Sequence, residues 1–176
     1  MKLFLLDSYQ STFRETSYDK TKDESLLGDI TKKIINYDAY ASAVSRAYRN
    51  GENLSSADAL AVSGEEILLI EFKNQKLSRI EAKRIRKKAF DSLHLFLHLE
   101  GLGRLTMEEI KRRVSYVVLY GENDIPSFTR YQKMVAASTG TEVLPFGLEP
   151  YASFYKRILV TTAEEFHGTE LYKGIQ

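Results

Sequence analysis

The sequence has no cysteine, which excludes disulfide bonds and every zinc site built from thiolates. It also has no apolar run that approaches the roughly 20 residues of a membrane-spanning helix. The segment Leu3-Phe4-Leu5-Leu6 is too short for the core of a signal peptide. We therefore expect a soluble, cytoplasmic protein without a membrane partner.

The common motifs of nucleotide-dependent enzymes and serine hydrolases are missing as well. There is no glycine-rich phosphate loop of the Walker or dinucleotide type. There is also no Gly-x-Ser-x-Gly turn that would expose a serine nucleophile. No cofactor other than a metal ion is indicated.

An excess of one charge sign is absent from the chain as a whole. The formal net charge of the 176 residues is +1, which does not favour a nucleic-acid partner. The distribution is uneven, however, because residues 73–88 contain eight basic residues and the single acid Glu81. That segment carries a net charge of +7 and leaves −6 for the rest of the chain.

The residues that are present predict one globular domain over 1–176. Hydrophobic residues make up 43% of the chain and charged residues 28%, which is ordinary for a globular protein. Capping boxes, in which Ser or Thr is followed three residues later by Glu, predict helix starts at Thr21, Ser78, Thr106 and Thr162. The first helix should reach Tyr48 and bury one apolar face, made of Leu27, Ile30, Ile34, Tyr37, Ala41, Val44 and Tyr48. A further helix is predicted over 128–138.

Apolar segments between these helices predict strands. They lie at residues 2–6, on both sides of the turn Ser63-Gly64-Glu65-Glu66, and at 114–120, 141–146 and 157–161. Strands bounded by helices predict an α/β fold with a central sheet flanked by helices. An antiparallel hairpin followed by a helix and another strand makes the sheet mixed. The core should span about 21–120, with 121–176 as a C-terminal elaboration.

The predicted hairpin carries charged residues on strands that are otherwise apolar. If Gly64 and Glu65 are the central turn residues, Asp58 lies opposite Glu71. Because side chains alternate across a strand, Asp58, Glu71 and Lys73 then share one face. That face also carries Leu60, Val62, Ile67 and Leu69, and the other carries Ala57, Ala59, Ala61, Leu68, Ile70 and Phe72.

Two opposed carboxylates need a cation between them. With about 5 Å between their Cβ atoms and an effective dielectric of about 20, they repel by about 3 kcal/mol. Lys73 supplies part of the positive charge. A hard divalent ion suits the pair better, because Mg²⁺ is commonly held by one or two carboxylates with water and substrate phosphate. The alternative is a salt bridge from Lys73 to Asp58 or Glu71 at the sheet margin, without metal.

Asp58, then Glu71-Phe72-Lys73 at the end of the second hairpin strand, then a helix, resembles the PD-(D/E)XK nuclease superfamily, the restriction-endonuclease-like fold. The resemblance covers roughly residues 21–120. It implies a Mg²⁺- or Mn²⁺-dependent nuclease in which Asp58, Glu71 and the backbone carbonyl of Phe72 bind the metal. It also implies that Lys73 positions or activates the attacking water.

The resemblance carries two further implications. Members of the superfamily often add an acid from the first helix, which here would be Glu24, and the alternative role for Glu24 is helix capping alone. The superfamily also places a strand between the first helix and the hairpin. Residues 49–56 or residues 2–6 would have to supply that strand.

A nuclease would bind DNA or RNA, and the basic residues after the motif are candidates for phosphate contacts. They are Lys76, Arg79, Lys83, Arg86 and Lys87. A solvated helix face is the alternative explanation for them. Many enzymes of this fold cut two strands as dimers, so a homodimer is a further expectation. The alternative function is a non-catalytic module that keeps the nuclease fold and binds nucleic acid or protein.

Overall fold

The computed structural model describes residues 4–48, 54–97, 105–122, 124 and 143–176. Its strands are β1 (Gln10–Thr12), β2 (Tyr18–Asp19), β3 (Glu24–Ser25), β4 (Lys33–Asn36), β5 (Ala59–Ser63), β6 (Glu66–Lys76), β7 (Val114–Glu122) and β8 (Arg157–Thr162). Its α-helices are α1 (Phe13–Thr16), α2 (Tyr37–Tyr48), α3 (Ala82–Leu97), α4 (Met107–Arg113), α5 (Ala163–His167) and α6 (Glu170–Lys173). Four 3₁₀ helices cover Phe4–Tyr9, Leu77–Arg79, Pro145–Gly147 and Glu149–Phe154. The helix predicted over 128–138 lies outside the described residues.

Six of these strands form one mixed sheet in the order β1-β4-β5-β6-β7-β8. The pairs from β1 to β6 are antiparallel, and β6, β7 and β8 run parallel. Strands β2 and β3 form a separate two-stranded ribbon. The prediction of an α/β protein with a mixed central sheet is confirmed.

The β5–β6 hairpin has the predicted register, with Leu60 opposite Leu69 and Ser63 opposite Glu66. Gly64 has a φ of +59°, a left-handed conformation that glycine adopts without a Cβ clash. The alternation separates two buried clusters, one with Leu60, Ile67 and Leu69 and the other with Ala59, Ala61, Leu68, Ile70 and Phe72. Two residues depart from the prediction, because Ala57 packs in the first cluster and Val62 is 37% exposed.

Helices cover both faces of the sheet. Helices α2, α3 and α4 contribute Tyr37, Ile85 and Ile110 to the cluster on the Leu60 face. Helices α1, α5 and α6 contribute Phe13, Phe166 and Tyr172 to the cluster on the opposite face. No helix within the described ranges combines the length and the apolar character needed to cross a lipid bilayer.

The first predicted helix is wrong in its N-terminal half. Residues 24–36 form β3, a turn and β4, and α2 begins only at Tyr37. The turn is fixed by Asp29, whose Oδ1 accepts hydrogen bonds from Thr31 N, Thr31 Oγ1 and Lys32 N. This local pairing competes with helix formation. The true N-cap is Asn36, whose Oδ1 accepts from Ala39 N at 2.9 Å.

Three other local predictions are wrong. Residues 4–6 belong to a 3₁₀ helix and not to a strand. Ser78 does not cap α3, because its N–H and hydroxyl bind the Asp124 carboxylate. The predicted strand 141–146 lies partly outside the described residues, and its last residues enter a 3₁₀ helix at Pro145. Proline lacks the N–H that a strand ladder uses.

The remaining local predictions are confirmed. Strands β7 and β8 cover the two predicted C-terminal strands. Complete capping boxes form at Thr106 with Glu109 and at Thr162 with Glu165.

Candidate functional site

Asp58 sits where α2 and the hairpin meet. It lies one residue before β5, and its N–H donates to the Ile70 carbonyl at 2.9 Å. Its own carbonyl accepts from Tyr37 N, the first N–H of α2, at 3.0 Å. The Asp58 backbone is therefore fixed by both elements.

The structure brings the three predicted catalytic residues into one group. The Asp58 Oδ2 atom accepts a hydrogen bond from Phe72 N at 2.7 Å. The Lys73 Nζ atom forms an ion pair with Glu71 Oε1. Glu71 itself is 0% exposed in the middle of the sheet. The two acids and the amine thus converge at the end of the hairpin.

A fourth residue, Lys88 of α3, supplies the cation between the two carboxylates. Its Nζ lies 2.9 Å from Asp58 Oδ1 and 2.9 Å from Glu71 Oε2. Its side chain is 16% exposed. In the sequence, Lys88 stands out only as one of the basic residues of segment 73–88. The available signal was its position three residues after Ile85 and four before Ser92, both of which are buried.

Burial sets the electrostatics of the site. The pKa of Glu71 is raised from 4.5 to about 7, first by burial and then by the Asp58 carboxylate, against the opposing effects of Lys88 and Lys73. Burial acts to lower the pKa of Lys88, but the Glu71 and Asp58 carboxylates outweigh it and raise the pKa above its ordinary value. Lys88 is therefore charged at neutral pH, whereas Glu71 titrates close to neutrality.

A buried tyrosine belongs to the same electrostatic environment. The pKa of Tyr116 is raised well above 10, first by burial and then by Glu71. Within the described parts of the chain, the Tyr116 hydroxyl has no hydrogen-bond partner. Glu71 Oε1 also lacks a hydrogen-bond partner among the described residues, and its contact is the ion pair with Lys73.

The oxygen donors are of the type that Mg²⁺ prefers. Besides the two carboxylates, the Phe72 carbonyl is a candidate, because a strand residue directs its N–H and C=O to the same side, and the Phe72 N–H points at Asp58. The described residues contain no group of three or more Asp, Glu, His or Cys that could hold a metal. A metal here would therefore depend on two carboxylates, a carbonyl and water, and it would take the place that Lys88 Nζ has between the acids.

The structure does not bring Glu24 into this group. Glu24 lies exposed on β3, where its Oε1 accepts from Asn74 Nδ2 at 3.0 Å and lies 3.9 Å from Lys22 Nζ. Its predicted helix-capping role is also wrong, because no helix starts there. Neither of the two roles expected for Glu24 therefore matches its place in the fold.

The five predicted phosphate-binding residues have different surroundings. Lys76 pairs with Glu122 at 3.1 Å. Arg86 donates to the Phe146 carbonyl at 2.6 Å, and Lys87 pairs with Asp91 and donates to Ser55 Oγ. Four of the five are exposed, namely Lys76, Arg79, Lys83 and Lys87, and Arg86 is half-buried. A role for these residues in binding phosphate stays a prediction.

Comparison with known proteins adds no relative. No protein-family model matches the chain, and no curated protein or solved structure matches it. We therefore infer the function from the geometry and electrostatics of the site.

Proposed function

We propose that the chain is a Mg²⁺- or Mn²⁺-dependent nuclease that hydrolyses phosphodiester bonds in DNA or RNA. The observation that carries the proposal is the convergence of Asp58, Glu71 and Lys73 around one cation position, next to the Phe72 backbone. A buried and a half-buried carboxylate with an adjacent ammonium suit metal-assisted attack by water. The segment of highest positive charge, residues 73–88, starts within this group.

A restriction-endonuclease-like fold is part of the same proposal. The order β5, β6, α3, β7 supports it, since an antiparallel hairpin is followed by a helix and a parallel strand. The strand expected between the first helix and the hairpin is a difference, because residues 54–58 form no strand. Strand β4, which pairs with β5, precedes α2.

Each residue has a distinct role in the proposed reaction. Asp58, Glu71 and the Phe72 carbonyl would hold the metal, which when bound lowers the pKa of water and offsets charge on the phosphate. The Lys73 ammonium, held at Glu71, positions the water oxygen that attacks phosphorus and stabilises the developing negative charge. Lys88 keeps the two carboxylates together before metal arrives.

A non-catalytic module is the second candidate, and one observation favours it. Three of the four carboxylate oxygens of Asp58 and Glu71 already accept a hydrogen bond, from Lys88 twice and from Phe72 N, and Glu71 Oε1 forms an ion pair with Lys73. Such a cluster can hold α3 on the sheet without any chemistry. The two candidates differ in whether a divalent ion binds.

Cleavage of mixed DNA and RNA substrates with Mg²⁺ or Mn²⁺ tests the proposal. Glu71→Ala and Lys73→Ala should abolish cleavage, whereas Lys111→Ala, which removes an exposed cation on α4, should leave it intact. Thermal melts of each variant check folding. Cleavage that survives both site substitutions overturns the nuclease, and a melting temperature unaffected by Mg²⁺ favours the non-catalytic module.

A further inference from the structure

A cleft of about 470 Å³ opens at the carboxyl ends of β6 and β7. It is lined by Asn74 and Gln75 of β6, Gly121 of β7, and Lys22 from the segment between β2 and β3. The volume is within the range of small-ligand sites. The carboxyl ends of parallel strands are also where open α/β sheets usually bind ligands.

Strand β6 has an irregularity between the candidate active site, which includes Lys73, and the residues that line this cleft. Lys73 pairs with Tyr120 and Lys76 pairs with Glu122, so β6 uses one residue more than β7 between these pairs. Such bulges redirect side chains and are common beside active sites. Gln75 follows Lys73 by two residues, about 7 Å along an extended strand.

The charges at the cleft favour an anion. Three cations line it, Lys22 from the segment between β2 and β3, and Lys76 and Arg79 from the end of β6 and the 3₁₀ helix that follows it. Of the two acids, Asp19 accepts hydrogen bonds from Thr21 N at 2.9 Å and Thr21 Oγ1 at 2.6 Å, and Glu122 pairs with Lys76. The pair between Lys22 and Glu24 is exposed and 3.9 Å long, so it offsets little of the Lys22 charge.

Arg79 is the least committed of these cations. It is exposed, and over the described ranges it forms no ion pair. Asn74 is already held, because its side-chain amide donates to Glu24 and its carbonyl accepts from Lys22 Nζ. Gln75 therefore offers the amide group that can both donate to and accept from a ligand in the cleft.

We propose that this cleft binds one unpaired nucleotide of a single-stranded nucleic acid, with the phosphate at Lys22 and Arg79 and the base edge at Gln75. The inference rests on the proposed nuclease function, which it narrows to substrates that are single-stranded beside the cleaved bond. Lysine and arginine contact phosphates, and amide side chains read base edges. A base can enter the cleft only when it is unpaired, and its Watson–Crick edge is then open to Gln75.

Fluorescence anisotropy of a short labelled oligonucleotide in EDTA tests this without cleavage. The single strand should bind more tightly than the matching duplex. Arg79→Ala should weaken single-strand binding about fivefold, which corresponds to about 1 kcal/mol, and lower the salt slope by about 0.7, as for one phosphate on a single strand. Arg112→Ala, an exposed arginine on α4, is the control for charge alone.

A cleft-filling variant separates shape from charge. A Cβ at Gly121 would lie 3.6 Å from Asn74 and Gln75 atoms, so the larger side chain of Gly121→Leu would occupy the cleft and leave every charge in place. We expect about a tenfold loss of single-strand binding, or about 1.4 kcal/mol. Gly28→Leu is the matched control, because no atom lies within 4 Å of a Cβ at Gly28.

The outcomes distinguish this inference from the proposed function. If cleavage depends on Glu71 but single-strand binding is unchanged in Arg79→Ala and Gly121→Leu, the cleft does not bind the nucleotide, and the proposed nuclease activity is retained. If both variants weaken single-strand binding but the unaltered protein cleaves no substrate, nucleotide binding in the cleft is supported and the nuclease activity is refuted. Tighter binding of the duplex, or no single-strand binding by the unaltered protein, also overturns the inference.

Discussion

Replacement of Lys88 by methionine is the most direct test of the site, because it removes the bridging ammonium and keeps an unbranched side chain. Lys88 Nζ contacts Asp58 Oδ1 and Glu71 Oε2 at 2.9 Å each. At an effective dielectric of about 20, each contact is worth about 6 kcal/mol before desolvation. The desolvation of three charged groups offsets most of this sum.

The net change in unfolding free energy depends on the two carboxylates that remain when the Lys88 ammonium is removed. Breaking a buried ion pair destabilises proteins by about 3 to 5 kcal/mol, because the remaining charge stays buried without compensation. Since Lys88 and Asp58 retain some solvent contact, we expect about 3 kcal/mol at pH 8, at the lower end of that range. The loss should be smaller at pH 6, where Glu71, with a pKa of about 7, can take up a proton.

Urea denaturation in EDTA, followed by circular dichroism, measures the loss of unfolding free energy. Lys87→Met is the matched control, because the exposed Lys87 pairs with Asp91 outside the site, and exposed pairs contribute little. If Lys88→Met is as stable as the unaltered protein at pH 8, Lys88 does not bridge the carboxylates. Under the proposed function, Mg²⁺ should also restore the stability of Lys88→Met, since the divalent ion replaces the missing cation.

Two further predictions concern pH. In EDTA, the stability of Glu71→Gln relative to the unaltered protein should rise by up to about 3 kcal/mol between pH 4.5 and 7.5. The reason is that Glu71 titrates at about 7 in the folded chain, so that its neutral form is favoured below that pH. The same difference in unfolding free energy at both pH values, measured by urea denaturation, would refute this. Burial acts to raise the pKa of Glu66, but Lys156, Ser115 and Arg157 outweigh it and lower the pKa. Because Lys156 and Arg157 are partly exposed, Glu66→Gln should lose about 2 kcal/mol at pH 7, as for a hydrogen bond to a charged group. The difference should shrink as the pH falls below 4.5, which urea denaturation across that range can check.

The hairpin could be predicted in detail because its determinants are local. Gly64 fixes the turn, and the alternation of apolar residues fixes which side chains face each cluster. The first helix could not, because Leu27 and Ile34 fit a helical period and a strand-turn-strand path equally well. The strand-turn-strand path is favoured by the Asp29 turn and by the pairing of β4 with β5, which lies more than twenty residues further along the chain.

The candidate site was predictable in kind but not in full. Electrostatics required a cation between Asp58 and Glu71, and the structure places one there. The identity of that cation depends on how α3 packs on the sheet, which no local pattern specifies. A lysine on the buried stripe of α3 was the available hint, because a buried charge needs a partner.

The charge balance at the site links the two ligands of the proposed nuclease. With Glu71 ionised, Asp58 and Glu71 are balanced by Lys73 and Lys88, so the group is neutral and does not attract phosphate. A divalent ion in the place of Lys88 Nζ would make the site positive, because Lys88 belongs to α3 and would stay nearby. Metal and nucleic acid should then strengthen each other's binding by the same factor, since coupling between two ligands is reciprocal. In anisotropy titrations with Ca²⁺, this enhancement should disappear in Asp58→Asn, which lacks one of the two carboxylates. An equal enhancement in Asp58→Asn would show that the ion acts without the Asp58 carboxylate and would remove the case for a metal at this position.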